Sequence, residues 1–235
     1  MNDIMTGDLS RDTAWQGLAA GREYRMTVRP GTSDWNTCQA VAMGEYPLPQ
    51  GLTGWALDIG AHIGAVTVPL ALLNPDLRIL AVEALPENVA QLMANIERNG
   101  VQDRVQVVHA VASDSAEPVR IMYGEVADAS GQHQFIGNEY GPEGSTFWTV
   151  KGATLRGLML LRGPDEDCPF IWTKLDCEGC EYKVLASPWV THLPVIIGEV
   201  HRGWDALVRL LESTHDVTGD GQDFGHFQAH LKVQA

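Results

Sequence analysis

A short apolar run that ends in a glycine turn and passes at once into a helix restricts this chain's fold more than any other feature. Trp55–Ile59 has the composition of a buried parallel strand, Gly60 and Gly64 bracket the turn that follows it, and Ala65–Leu73 reads as a helix stopped by Asn74-Pro75. A strand that feeds a helix through a tight turn opens a βαβ unit, which needs a parallel partner strand beyond the helix. Arg78–Glu83 is that partner. Pro86 then opens a helix with Val89, Leu92, Met93 and Ile96 at helical spacing, Asn99-Gly100 closes it, and Val105–Ala110 is the third strand. After an irregular stretch at about 115–169, which holds a possible strand at Val119–Tyr123, the alternation resumes. Phe170–Leu175 and Val195–Val200 read as strands, Glu181–Leu185 as a short helix, and Trp204, Leu207, Val208 and Leu211 mark one face of another helix. His215–Thr218 and Phe227–Val233 read as a closing pair of strands. The expected fold is α/β, a doubly wound and mainly parallel sheet, with residues 1–53 as an N-terminal extension or cap and 54–235 as the ligand-binding domain. Ligands of such a sheet lie at the carboxyl ends of its strands.

The turn sequence Leu57-Asp58-Ile59-Gly60-Ala61-His62-Ile63-Gly64 narrows the ligand. A dinucleotide fingerprint has a glycine where His62 stands, and no Gly-Lys-Ser/Thr follows to make a phosphate loop. An acid before the first glycine suits a ligand that carries an amino-acid and sulfonium end, and would repel a pyrophosphate. Glu83 ends the second strand nineteen positions beyond Gly64, where a carboxylate accepts hydrogen bonds from a ribose diol. Val111-Ala112-Ser113-Asp114 leaves the third strand where an adenine amino group can be read.

These motifs, with VEALPENVAQLMANIERNG, VHAVAS and the Lys-x-Asp-x-Glu-Gly-x-Glu pattern of Lys174, Asp176, Glu178, Gly179 and Glu181, resemble the FkbM-type S-adenosylmethionine-dependent methyltransferases. The resemblance runs from about Arg29 to His201 and takes in Gly44-Glu45-Tyr46, Thr154-Leu155 and Glu199-x-His201. It implies a Rossmann-like class I methyltransferase fold and S-adenosylmethionine as cofactor. It implies cofactor contacts from Asp58, Gly60, Ala61, His62, Gly64, Glu83, Ala84, Ala112, Ser113, Asp114 and Asp176. It also implies a hydroxyl acceptor on a natural product or sugar. N-methylation of a small molecule, a nucleotide-cofactor oxidoreductase and a non-catalytic S-adenosylmethionine-binding module are the alternatives.

An alcohol acceptor must lose a proton, so acid–base groups are expected beside the methyl. Asp176 and Glu178 lie two apart, as do Glu199 and His201, so each pair faces one way on an extended backbone. The catalytic candidates are therefore Asp176, Glu178, Glu199 and His201, with His201 as base and Glu199 as its orienting partner. Glu181 reads as a first-turn helix acid. No metal is expected, although Asp176, Glu178, Glu199 and His201 could offer ligands to Mg²⁺ or Mn²⁺ instead. The Cys177-Glu-Gly-Cys180 spacing lacks the second pair of a zinc site and reads as accidental. Gly137–Trp148, with Tyr140, Phe147 and Trp148 among glycines, is the candidate acceptor lid.

Composition limits the partners. Hydrophobic residues at 45% and charged residues at 20% suit a chain with a full core. The net charge of −14 disfavours a nucleic-acid partner. Apolar stretches such as Val66–Leu73 are too short for a membrane span, and MNDIMTGDLSRD has no leader pattern, so a cytoplasmic protein without membrane attachment is expected.

Overall fold

The computed structural model describes residues 14–123, 146–162, 169–201 and 203–233. In chain order the strands are β1 (Ala14–Ala19), β2 (Arg22–Thr27), β3 (Gly54–Ile59), β4 (Leu77–Glu83), β5 (Val105–His109), β6 (Val111–Ala112), β7 (Val119–Tyr123), β8 (Thr146–Val150), β9 (Gly152–Ala153), β10 (Phe170–Leu175), β11 (Val195–His201), β12 (His215–Gly219) and β13 (Phe224–Leu231). The helices are α1 (Asp34–Ala42), α2 (Thr67–Leu73), α3 (Pro86–Arg98), α4 (Leu155–Leu160), α5 (Glu181–Leu185) and α6 (Trp204–Leu211). Among the described residues no helix is long and apolar enough to cross a membrane.

Seven strands form the central sheet in the order β12-β13-β11-β10-β3-β4-β5. β5, β4, β3, β10 and β11 are parallel, and β13 runs antiparallel between β11 and β12. The expected doubly wound α/β fold is present. Alternation along β3 sends Leu57 and Ile59 to one face, and Ala56 and Asp58 to the other. The first face packs under α4, α5 and α6 with Leu158, Val184, Leu207 and Phe227. The second packs under α1, α2, α3 and the N-terminal hairpin with Met26, Val41, Leu70 and Leu92. Strand order reverses between β3 and β10, and that reversal opens the crevice in which doubly wound folds bind ligands.

Residues 14–53 hold a hairpin and α1. β1 and β2 form a hairpin that turns at Ala20 and Gly21, both at positive φ (52° and 74°). The exposed edge of β2 is paired by a helix. Asn95 of α3 accepts the Thr27 N–H at 2.7 Å and donates to Thr27 O at 3.2 Å. Asn99, one turn on, does the same for Arg25 at 3.0 and 2.8 Å.

The stretch expected to be irregular holds more structure than its composition suggested. β7 pairs with β8, β6 with β9, and Thr154 caps α4 by accepting the Gly157 N–H at 3.1 Å. Phe147 and Trp148 therefore stand in a paired strand rather than in a loop. Residues 137–145 of the proposed lid, Tyr140 included, lie outside the described residues.

Candidate active site at the carboxyl edge of the sheet

β3 delivers its chain into a cavity of about 380 Å³ beside the strand reversal. The turn is held by its own backbone: the Gly60 and Ala61 N–H groups both donate to Val82 O, at 2.9 and 3.0 Å. Gly60 has φ 77°, and a Cβ there would sit 1.7 Å from Asp176 O. Glycine is required because the ends of β3 and β10 nest against each other, whatever the ligand. His62 also has positive φ (51°). Its N–H donates to Glu83 Oε2 at 2.8 Å, and its Nε2 lies 3.3 Å from Asp34 Oδ1.

Glu83 also accepts from the Leu85 N–H at 2.9 Å and the Asn88 amide at 3.3 Å through Oε1. Burial pushes its carboxyl up, and those hydrogen bonds pull against the shift. The carboxylate still faces the cavity, with acceptor capacity left on Oε2, which takes only the His62 N–H.

At the other end of the cavity four acids surround one histidine. His201 Nε2 lies 3.3 Å from Glu178 Oε2, 3.6 Å from Glu199 Oε2 and 3.8 Å from Asp176 Oδ1. Its Nδ1 donates to Glu181 Oε1 at 2.9 Å, and the same oxygen accepts the Cys177 N–H at 3.1 Å. Burial would lower the imidazole, but the Glu181 hydrogen bond and the nearby carboxylates raise it to about 9. Burial raises Glu178 to about 7, with His201 opposing and Asp176 and Glu199 reinforcing the shift. Burial and then Asp176 raise Glu199 as well.

Behind Asp176 lies Lys174, a lysine that is only 4% exposed. It donates to Gly60 O at 2.7 Å and sits 3.3 Å from Asp176 and 3.5 Å from Asp58. Desolvation would lower this amine, and the Asp176 and Asp58 charges overcome that and hold it well above its usual value. Burial works against ionised Asp176 too, yet Lys174, His201 and the hydroxyl of Tyr46, donating at 3.0 Å, hold it below the usual range.

The loop that carries Glu178 is closed by a disulfide between Cys177 and Cys180. Glu178 and Gly179 within it both take positive φ, 56° and 106°. The cysteine spacing read as accidental thus brackets the acid that faces His201.

Among the expected cofactor residues, Gly60, Ala61, His62, Glu83, Ala84, Ala112 and Asp176 line the cavity, as do the catalytic candidates Glu178 and Glu199. Asp58, Gly64, Ser113 and Asp114 do not. Asp58 is fully buried and accepts from Thr67, Gly64 packs against Leu92, and Ser113 donates to Asp114. His201 stands behind the acids rather than on the wall, and Glu181, not Glu199, orients its ring. Glu199 faces the opposite nitrogen because it shares a strand face with His201. Lys174 and Tyr46 were missed as site residues. A lysine inside the apolar run Phe170–Leu175 was the available signal for the first, and for Tyr46 the signal was its place in the Gly44-Glu45-Tyr46 stretch of the resemblance.

The family model described as Methyltransferase FkbM domain matches residues 58–227. The chain is similar to the O-methyltransferase imqG of Aspergillus flavus, 37% identical over 59 residues, which is 25% of this chain and 24% of the relative. It is also similar to the ribosomal RNA small subunit methyltransferase G of Lactobacillus acidophilus, 39% identical over 57 residues, 24% of this chain and 23% of that one. The chain thus matches about a quarter of the length of these curated relatives. Among solved structures it resembles a precorrin-6y methyltransferase from Geobacter metallireducens, at 17% identity and TM-score 0.45, covering 77% of this chain and 81% of that one. It also resembles a T. thermophilus 16S rRNA methyltransferase in complex with AdoMet and guanosine, at 14% identity and TM-score 0.48, covering 93% and 50%.

Proposed function

The chain belongs to the FkbM methyltransferase family, and from that premise we propose that it is an S-adenosylmethionine-dependent methyltransferase acting on a hydroxyl of a small molecule. The observation that carries this reading is one cavity with an unsaturated carboxylate, Glu83, at one end and the Asp176–Glu178–Glu199 group at the other. About 380 Å³ is within the range of small-ligand sites. Glu83 suits the ribose diol, while the Gly60–His62 turn and Ala112 suit the rest of the nucleoside.

When bound, S-adenosylmethionine supplies a methyl group activated by a sulfonium. The chain's own part is to hold the acceptor in line with it, and orientation of this kind can contribute about 7–11 kcal/mol. The carboxylates of Glu178 and Glu199 face the cavity where an acceptor proton has to leave, with His201 behind them to spread the charge. Lys174 and Tyr46 keep Asp176 fixed and ionised. A small acceptor fits the net charge of −14, which would repel a phosphate backbone.

The acid-rich wall also favours a second reading, methylation of an amine drawn in as its ammonium. Transfer of labelled methyl from S-adenosylmethionine to matched alcohol, amine and RNA acceptors separates these readings. We expect label in the alcohols only. In Glu83→Gln, cofactor affinity should fall by about 1.5–3 kcal/mol. Unchanged affinity in a folded variant removes Glu83 from the ribose.

A further inference from the structure

We infer that Asp176, Glu178, Glu199 and His201 form a binding site for a divalent cation of the Mg²⁺/Mn²⁺ type at the acceptor end of the cavity. The site comes first from geometry. One ligand atom each from Asp176, Glu199 and His201 lies within 4.8 Å of the others, and Glu178 Oε2 lies 3.3 Å from the same imidazole nitrogen. Octahedral ligands at about 2.1 Å from a metal stand about 3 Å apart. The separations of 3.3–3.8 Å around Nε2 need to contract by less than about 1 Å.

The histidine is also prepared for coordination from behind. Its Nδ1–H is committed to Glu181, so a metal that displaces the Nε2 proton would meet a lone pair turned to the three acids. A carboxylate on the far nitrogen is the arrangement that fixes the tautomer of metal-binding histidines.

A separate observation comes from behind the histidine. Glu181 is 0% exposed, and its Oε2 has no hydrogen-bond partner among the described residues. A buried anionic oxygen without a partner is costly unless positive charge lies near. Among the described residues the cations against the group are Lys174, shared between Asp176 and Asp58, His201 itself, and His226, whose charge acts on Glu199. Four carboxylates meet there, and a divalent ion would supply further positive charge. Three oxygen donors with one imidazole suit Mn²⁺ or Mg²⁺ better than thiolate-seeking metals. Asp176, Glu178 and Glu199 line the cavity, so the ion's remaining positions open onto the acceptor.

The role of the ion rests on the reading of the protein as a methyltransferase. It would bind an acceptor oxygen and lower its pKa, and it would repel an ammonium, which selects alcohol over amine. Binding itself can be tested without that reading. Protein stripped with EDTA is titrated with Mn²⁺ and free Mn²⁺ is followed by EPR. We expect one saturable ion per chain, and weakening of tenfold or more in Glu199→Gln and in His201→Gln. Glu181→Gln should weaken binding by about 10–100-fold through the ring it holds. Glu45→Gln, on the cavity wall but outside the cluster, should retain the ion. Far-UV circular dichroism screens each variant for folding, and the part-exposed Glu199 carries the test if Glu181→Gln does not fold. Absence of saturable binding, or binding indifferent to Glu199→Gln and His201→Gln, overturns the site. Mn²⁺ binding without any methyl transfer upholds the site and removes the methyltransferase reading. Transfer unchanged by EDTA in a protein that binds no Mn²⁺ does the reverse.

Discussion

Asp34 is fully buried and still held below the usual carboxylate range. Desolvation opposes its charge, and Arg29 overcomes that with its backbone N–H, Nε and Nη2 at 2.8, 2.9 and 2.8 Å. The same carboxylate stands 3.3 Å from His62, so it fixes both the entry to α1 and the ring in the turn after β3. Asp34→Asn should cost about 1.5–3 kcal/mol at neutral pH, the scale of hydrogen bonds to a charged group. The sign follows from the depressed folded pKa. The contribution is complete above the unfolded value of about 3.9 and is lost as pH falls through the lower folded value. Urea melts of both proteins across pH 2–7 should converge at the acid end, and a constant gap would refute the assignment. Asp34 stands in the Arg29–Asp34 segment at the start of the resemblance, with Arg29 a near neighbour in sequence. Only its contact with His62 depends on the fold.

Among elements, α3 has two jobs, and only one was legible. Its buried Leu92 and Ile96 follow from helical periodicity, and its stop follows from Gly100 at φ 67°. Asn95 and Asn99 read as polar positions on that helix, yet they replace a strand partner for β2. Asn95 also donates to Ile63 O at 2.9 Å, which ties the hairpin to the turn after β3. Asn95→Ala leaves the Thr27 N–H and two carbonyls without that partner, at a cost of about 2 kcal/mol or more. A fall in Tm of roughly 5 °C should follow, with faster proteolysis of the hairpin. An unchanged Tm would show that water replaces the amide. The alternation of β3, β4, β5, β10 and β11 with helices was readable because periods of two and 3.6 residues are local. The β1–β2 hairpin and α4 were not read, because β1 and α4 carry interior glycines, Gly17 and Gly157, which argue against a strand and a helix.

At the scale of the whole molecule, the site joins the two ends of the described chain. Tyr46, ahead of the first sheet strand, bonds to Asp176 across 130 positions. β13 pairs Glu199 with His226, whose ring lies against Tyr46 at 5.5 Å between centroids. The carboxyl-edge location and the acids of β10 and β11 were expected from topology. The closure by Tyr46 and His226 was not, since no local pattern records that an antiparallel strand slips in beside β11. Sequence separation bears on the order of assembly during folding. β3, β4 and β5 are neighbours in sequence and can pair early. β10 meets β3 across 116 positions, from Asp58 to Lys174, and long-range pairings of this kind are slow. In refolding from denaturant, far-UV ellipticity should therefore recover before the capacity to bind S-adenosylmethionine. Simultaneous recovery would mean that β10 pairs as early as its neighbours. Slow closure would leave the acids that follow β10 and lie on β11 open to solvent through most of the folding time, long after β3, β4 and β5 have paired.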